Sequence, residues 1–419
     1  MKFDTIIIGG GLAGLACGIR LAQNNQRCAI VSSGQSSLCF FSGSFDLLGH
    51  TSEDKPVYDL LESLSILANK DKKHPYSKIG VSKIEKLLEQ SYALLNNLDI
   101  KMKGDVRKNH FRLTPMGTTR PTWLSVDTLA TSPSADKLPW RTLAVCNLQG
   151  FTDFPHQIFA EQLASLGVKV NTHSIKVRFL DSIRQNATEM RSASIARLLE
   201  KTENLEELAK ALNLIAKDND AILLPAALYS ADGKAFGKLK NMVLGTELFL
   251  LPTMPPSVVG LEIESSLITE FKAHGGVFFA GDSVLKGEIQ SGKVQCVYTA
   301  NHGDIPMVAD NYVLATGSFF NKGLIATNTS IYEPIFDCDV EFLPNRGDWY
   351  SKDLFTKQNY FGFGVKTTSS FKALSGGNPV DNLYAIGSVL SDFNPVEEGS
   401  GAGVALLTAL NVANHLLDK

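Results

Sequence analysis

Phe3-Asp-Thr-Ile-Ile-Ile-Gly-Gly-Gly-Leu-Ala-Gly14 is the stretch whose reading decides the fold. A short apolar run breaks into glycines, and the glycines open a segment with apolar residues at Leu12, Leu15, Ala16, Ile19 and Ala22, the spacing of a buried helix face. A second apolar run, Cys28 to Val31, follows. Strand, glycine turn, helix and strand together open a dinucleotide-binding unit. In it Gly9 permits the tight turn, Gly11 lets a phosphate reach the backbone, and Gly14 lets helix and strand pack closely. The first turn, Leu12, Ala13 and Gly14, offers unpaired N–H groups and about half a positive charge to that phosphate. A glycine turn used for packing alone is the competing reading, and the surrounding order of elements favours the phosphate site.

Two more glycine features close expected strands further on. Ala315-Thr316-Gly317 ends one; Leu383 to Ile386 runs into Gly387-Ser388, and Gly399-Ser-Gly-Ala-Gly403 then opens a helix to about Leu417. In an open α/β sheet, ligands sit outside the carboxyl ends of strands. Gly401, Ala402 and Gly403 therefore aim a second set of backbone N–H groups at an electron-rich part of the same ligand. A flavin meets both demands, with its phosphate at the first helix and the negative charge of the reduced ring near the last. Ser42-Gly43-Ser44 reads either as a plain turn or as a flavin-contacting loop with hydroxyl donors.

Bulk properties narrow the class. A chain of 419 residues accommodates two domains, or one domain with an insertion. A formal net charge of −3 gives no electrostatic case for nucleic acid or an anionic membrane surface. A strand that begins by Phe3 leaves no room for a secretory leader. No apolar run approaches the ~20 residues of a membrane span, and the best candidate, Ala402 to Leu417, carries Asn411, Asn414 and His415. A soluble, cytoplasmic protein is expected. The cysteines at 17, 28, 39, 146, 296 and 338 form no C-x-x-C pair, so a cluster or zinc held by this chain alone is not expected. They read as reduced core residues, with Cys39 alone near the expected site.

The middle of the chain reads as a lobe of its own. Val81 to Leu98 looks helical and Leu113 to Ser125 irregular. Leu143 to Leu148 is an expected strand, and Asp153 to Leu166 an expected helix with Asp153 as N-cap and Gly167 past its end. Val168 to Thr172 is a strand, residues 186–189 resemble a capping box, and Ala221 to Leu224 and Glu247 to Leu251 are short buried strands. Glu262 to His274 is helical, and extended pieces at 277–280, 283–289, 294–300 and 312–315 suggest a β-meander. The expected architecture is α/β. A Rossmann-like flavin-binding domain, a parallel sheet with a β-meander, comprises residues 1–48, 258–320 and 376–419. A second, inserted α/β lobe, facing substrate or partner, comprises 49–257 and 321–375.

The order of motifs resembles the two-dinucleotide-binding-domain flavoproteins. Five runs narrow it: the opening run to Leu15, Phe41-Ser-Gly-Ser-Phe-Asp-Leu-Leu48, Pro252-Thr-Met-Pro-Pro-Ser-Val258, Ala315-Thr-Gly-Ser-Phe-Phe320 and Tyr384-Ala-Ile-Gly-Ser-Val389. These resemble the B-subunit family of the anaerobic glycerol-3-phosphate dehydrogenases. That resemblance implies a flavoprotein using FMN, working with a catalytic FAD-containing sister chain and an iron–sulfur subunit that docks the pair at the inner face of the cytoplasmic membrane. It also implies oxidation of sn-glycerol 3-phosphate to dihydroxyacetone phosphate, with electrons passed toward quinone in anaerobic respiration.

Ser32 and Ser33 stand about 20 residues after the glycines, where dinucleotide flavoproteins carry an acid for the adenosine ribose. A hydroxyl lacks the charge-assisted bond, which is roughly twice as strong as a neutral one. FMN has no adenosine, so this departure and Ser388 point to FMN, with FAD as the alternative. Alcohol oxidation also needs a base and groups for the phosphate. His302 is a candidate base, its other reading being an exposed turn histidine. Arg120 and Arg346 are candidate phosphate clamps, their other reading being surface salt bridges. No residue stands out as the base, so the competing functions are a chain that relays electrons or holds the complex together, and a flavin oxidoreductase with another substrate.

Overall fold

The computed structural model describes residues 1–98, 100–186, 189–229 and 234–418; the capping box read at 186–189 falls partly outside them. The chain begins with β1 (Lys2–Ile8), α1 (Leu12–Ala22) and β2 (Cys28–Ser32), followed by α2 (Leu60–Lys70), α3 (Pro75–Ile79) and α4 (Val81–Asn96). An alternation follows: β3 (Thr142–Leu148), α5 (His156–Ser165), β4 (Lys169–Ile175), α6 (Thr202–Ala216), β5 (Ala221–Pro225), α7 (Lys234–Met242), β6 (Glu247–Leu251) and α8 (Val258–Ala273). The chain then passes through β7 (Val277–Ala280), β8 (Val284–Gln290), β9 (Lys293–Thr299) and β10 (Val308–Leu314). It closes with β11 (Lys372–Ser375), β12 (Asn378–Ala385) and α9 (Gly401–Leu417). Two compact units result. The first comprises Met1–Ser37, Asp46–Leu95 and Leu267–Lys419, the second Leu38–Phe45 and Asn96–Ser266.

The first unit is built on a six-stranded sheet in the order β7-β2-β1-β10-β12-β11. Ile6, Ile7 and Ile8 are buried because β1 has a parallel neighbour on each side, with Ile8 opposite Val31 of β2 and Leu314 of β10. Only β11 runs antiparallel, to β12. The carboxyl ends of the parallel strands therefore share one edge, and strand order reverses at β1, the place where such sheets bind ligands. The expected meander is a hairpin, β8 with β9, joined through a Val297–Met307 bridge to the start of β10. Asn382 ties it to the sheet: its carbonyl accepts from Val294 N at 2.8 Å, and its amide donates to Val294 O at 3.0 Å and Asp310 O at 3.2 Å.

The apolar run 402–417 is a core helix. Arg20 of α1 donates to Asn414 Oδ1 at 3.0 Å, and Asn414 donates to Gln90 of α4 at 2.9 Å. Among the described residues, no helix is long and apolar enough to cross a membrane. Residues 46–95, expected largely in the inserted lobe, pack in the first unit instead. The cause is α3, which lies against the start of α9. Tyr76 donates to Leu47 O at 2.5 Å, Gly403 N donates to Asp46 O at 3.0 Å, and a Cβ on Gly403 would stand 2.3 Å from the Tyr76 hydroxyl. Residues 321–375, also expected in that lobe, belong to the first unit too, with β11 forming its sheet edge.

The second unit carries a parallel sheet in the order β4-β3-β5-β6, and β5 is buried along its whole length. Residues 113–125 are more regular than expected. His110–Leu113 and Thr119–Thr122 form an antiparallel hairpin, with Pro121 opposite Phe111 and the turn closed by Thr114 N to Thr118 O at 2.8 Å. Leu124–Val126 pairs with both Ser44–Phe45 and Met102–Gly104. Asp153 is not the cap of α5. Pro155 holds that position, and the Asp153 carboxylate accepts from Arg191 at 2.8 Å. All six cysteines are buried.

Candidate flavin site

The turn after β1 is fixed by two close approaches. Gly9 has φ +118°, and a Cβ there would lie 2.1 Å from Ala315 O; a Cβ on Gly14 would lie 1.9 Å from Gly9 O. Gly11 differs. Its φ is −83°, and an added Cβ would meet only Ser36 Cβ, at 3.8 Å. No neighbour among the described residues demands glycine at position 11, and the turn leaves open space there. The start of α1 has no side-chain cap and no acidic residue in its first turn. Its orphan N–H groups at Leu12, Ala13 and Gly14 are thus left for an anion.

The other glycine features meet this turn. Gly387 has φ +70°, and a Cβ built on it would stand 2.7 Å from Ala13 Cβ and 3.8 Å from Ala405 Cα. It therefore sits between the first turn of α1 and that of α9, with its N–H held by Thr408 Oγ1 at 3.0 Å. Ser400 caps α9 without a side-chain bond to the helix, and Gly403 N is spent on Asp46 O. The N–H groups of Gly401 and Ala402 remain at the open end. The hydroxyl oxygen of Thr316 is buried and has no hydrogen-bond partner among the described residues. Gly317 follows it with φ +79°, at the carboxyl end of β10.

A buried ionic cluster supports the start of α9. His74, 1% exposed, faces the Glu398 carboxylate at 3.2 Å, and its Nδ1 accepts from Tyr76 N at 3.1 Å, so the ring proton is on Nε2. Glu398 also accepts from Ser400 Oγ at 2.7 Å and Asn394 N at 3.0 Å. Burial pushes this carboxyl up, but the bonds from His74, Asn394 and Ser400 outweigh it and hold it below the usual carboxylate range. No local sequence signal announces this pair, because His74 and Glu398 lie 324 residues apart in the chain.

The remaining candidates are dispersed. Ser32 is buried at the end of β2 and donates to Gly34 O at 3.1 Å, while Ser33 is exposed. Ser388 lies in the 3₁₀ turn after β12. His302 is bound to Asp282 Oδ2 at 3.0 Å and Thr299 Oγ1 at 2.8 Å, beside Phe279. Burial raises the Asp282 carboxyl, yet hydrogen bonds from Thr299, Asn301, His302 and Ser283 carry it below its ordinary value. Arg346 donates to Thr327 O at 2.6 Å and covers the Trp349 ring at 5.3 Å. Ser42, Gly43, Ser44 and Arg120 belong to the second unit. There Ser44 Oγ bonds to Ser125 Oγ at 2.8 Å, and Arg120 stands opposite Arg112.

Two adjacent helix starts without side-chain caps, with a buried hydroxyl that has no partner among the described residues, suit an anionic ligand, and the family match makes the class a flavin-binding oxidoreductase. The chain belongs to the family described as FAD binding domain, which matches residues 4–404. It is 44% identical over 418 residues to the B subunit of the anaerobic glycerol-3-phosphate dehydrogenase of Yersinia enterocolitica, covering 100% of this chain and 98% of that one. The protein of the same name from Aliivibrio fischeri is 36% identical over 437 residues, covering 100% and 96%. Within the flavin-binding class, the chain is thus a member of the B-subunit family of anaerobic glycerol-3-phosphate dehydrogenases. Among solved structures, a 3-ketosteroid delta1-dehydrogenase from Sterolibacterium denitrificans matches with a TM-score of 0.47 at 9% identity, covering 100% of both chains. An E. coli quinol fumarate reductase matches with a TM-score of 0.45 at 10% identity, covering 100% of this chain and 70% of that one. The family description names FAD and gives the expectation of FMN no support.

Proposed function

We propose that this chain is the FMN-binding subunit of a complex that oxidises sn-glycerol 3-phosphate to dihydroxyacetone phosphate and passes the electrons toward quinone. The observation that carries the reading is the meeting of two uncapped helix starts at Gly387. Leu12, Ala13 and Gly14 hold the phosphate, with Gly9 shaping the turn and Gly11 leaving room for the approach. Gly401, Ala402 and the Thr316 hydroxyl face the ring, and Gly317, Gly387, Ser388 and Gly403 line the approach. When bound, the flavin accepts hydride at N5. The flavin domain corresponds to the first unit, Met1–Ser37, Asp46–Leu95 and Leu267–Lys419. The carboxylate-free end of β2, Ser32 and Ser33, favours FMN over the FAD of the family description, because neither hydroxyl gives an adenosine ribose a charge-assisted partner. The assembly is completed by a catalytic FAD-containing chain and an iron–sulfur subunit, and it sits at the inner face of the cytoplasmic membrane through the latter.

One observation favours a second reading, in which this chain relays electrons and the FAD-containing chain performs the oxidation. Arg346, a candidate phosphate clamp, is engaged instead by Thr327 O at 2.6 Å and by the Trp349 ring. The test is to purify the chain with its sister subunits, identify the released flavin by mass, and add glycerol 3-phosphate to the chain alone. FMN together with bleaching supports the oxidase reading, and FMN without bleaching supports the relay. Release of FAD alone, or of no flavin, overturns the FMN assignment.

A further inference from the structure

The residues between β10 and β11, which show no clean period in sequence, build an exposed apolar groove on the first unit. Phe319, Phe320, Ile331, Trp349, Tyr350 and Tyr360 line a groove of about 410 Å³. Its walls are braced from behind. Trp349 donates to Leu343 O at 2.7 Å, meets Phe342 and Phe363 edge-on at 6.1 and 6.4 Å, and carries the Arg346 guanidinium on its face. Tyr360 meets Phe319 edge-on at 6.3 Å. Such a groove is formed before anything binds, so filling it costs little ordering.

Beside the groove stands a knob. Tyr360 N donates to Trp349 O at 2.9 Å and pinches the neck of a loop whose interior is filled by Gln358, 7% exposed. The Gln358 side chain accepts from Ser351 N at 2.9 Å and donates to Asp353 O and Thr356 O. The Asp353 carboxylate takes Phe355 N at 3.0 Å. This internal bonding holds the loop so that Leu354 is 79% and Phe355 96% exposed, with Phe320 at 82% and Tyr350 at 55% nearby in sequence or on the groove. At about 200 Å² per large side chain, these four leave roughly 600 Å² of apolar surface in water. That is at the upper end of what a monomer tolerates. It exceeds the apolar share, about 450 Å², of the ~800 Å² that each partner buries in a stable interface.

We infer that this groove and its Leu354–Phe355 knob are the docking surface for a sister subunit of the dehydrogenase. That partner presents an aliphatic or aromatic side chain to the groove and a pocket to the knob. The inference rests on the reading of this chain as one subunit of a complex. A hole beside a knob is complementary to another folded protein, whereas a lipid surface offers nothing to fill the hole. Exposed aromatic anchors held in place by buried neighbours have the character of interface hot spots.

The test uses Phe320→Ser and Phe355→Asp, singly and together, in the full chain co-produced with the other subunits of the dehydrogenase. Both side chains are largely solvated, so folding and flavin content are expected to equal those of the parent. Affinity for the sister subunits, read by titration of separately purified components, is expected to fall at least tenfold for each single variant. Unchanged affinity with the parent complex intact overturns this surface alone. Failure of the parent chain to bind any sister subunit overturns the reading of the chain as part of a complex, and this inference with it. Two further outcomes also overturn it: a parent chain that self-associates through these residues, marking a second copy as occupant, and loss of binding to anionic phospholipid vesicles while affinity for the sister subunits is retained.

Discussion

Replacing Gly11 with alanine separates the demands of the fold from those of the ligand. Gly11 has φ −83° and ψ −174°, extended backbone that alanine adopts freely, and the new Cβ meets only Ser36 Cβ at 3.8 Å. Restricting the unfolded chain favours the variant by about 0.4–1 kcal/mol. Alanine is a poorer N-cap than glycine by up to about 1 kcal/mol. These effects offset, so the flavin-free chain is expected to unfold within about 3 °C of the parent. Flavin binding is expected to suffer, because the methyl group stands where a phosphate approaches Leu12, Ala13 and Gly14. Losing one hydrogen bond to a charged group costs about 1.5–3 kcal/mol, a roughly 10- to 150-fold weaker dissociation constant. Gly14→Ala is the contrasting variant. Its Cβ would lie 1.9 Å from Gly9 O, so strand or helix must move, at a cost of about 3 kcal/mol in the flavin-free state. Calorimetry of the flavin-free proteins and fluorescence titration with flavin measure the two quantities separately. If Gly11→Ala binds flavin as tightly as the parent, or loses stability without flavin, the placement of the phosphate is wrong.

Two other sites give outcomes of opposite kind. Thr316→Val removes a buried hydroxyl that has no partner among the described residues; the flavin-free chain is expected to gain about 1 kcal/mol while flavin affinity falls several-fold, and a loss of stability would mean the hydroxyl serves the fold. Lys103 donates to Leu129 O and lies over the Phe249 ring at 5.6 Å, and burial, reinforced by Lys240, pushes its amine down to about 8. The unfolded chain titrates this lysine near ~10.4, so between the two values the unfolded state holds a proton that the folded state has released, and stability rises with pH across that window. The burial penalty is complete below pH 8 and amounts to about 3 kcal/mol at most. Lys103→Met is therefore expected to raise the midpoint of urea unfolding at pH 7 and to flatten the rise between pH 8 and 10; an unchanged pH profile would place the proton elsewhere.

What the sequence disclosed, and what it withheld, follows the range of the interactions concerned. β1, α1 and the glycine turn were legible because Ile6 to Ile8 and Gly9 to Gly14 answer to neighbours a few residues away. The alternation β3 to β6 was legible for the same reason. Asp153 shows local chemistry being outcompeted: it had the signature of a cap, but Arg191 offered a full charge at 2.8 Å, and Pro155 took the helix start instead. Leu113 to Ser125 reads as irregular in sequence, yet Pro121 stands in a hairpin strand opposite Phe111. The placement of residues 46–95 had no local signal at all, since it depends on Tyr76 reaching Leu47 O and on Gly403 leaving room for that ring. The candidate site divides along the same line. Each glycine announces itself through its own backbone, whereas the cluster beneath α9 needs His74 and Glu398 to meet from opposite ends of the chain. Ser32 lies between these cases: its position at the end of β2 could be counted off from the glycines, but its bond to Gly34 O could not. That bond bears on the cofactor, because a hydroxyl already donating within its own loop has only its acceptor lone pairs to offer a ribose.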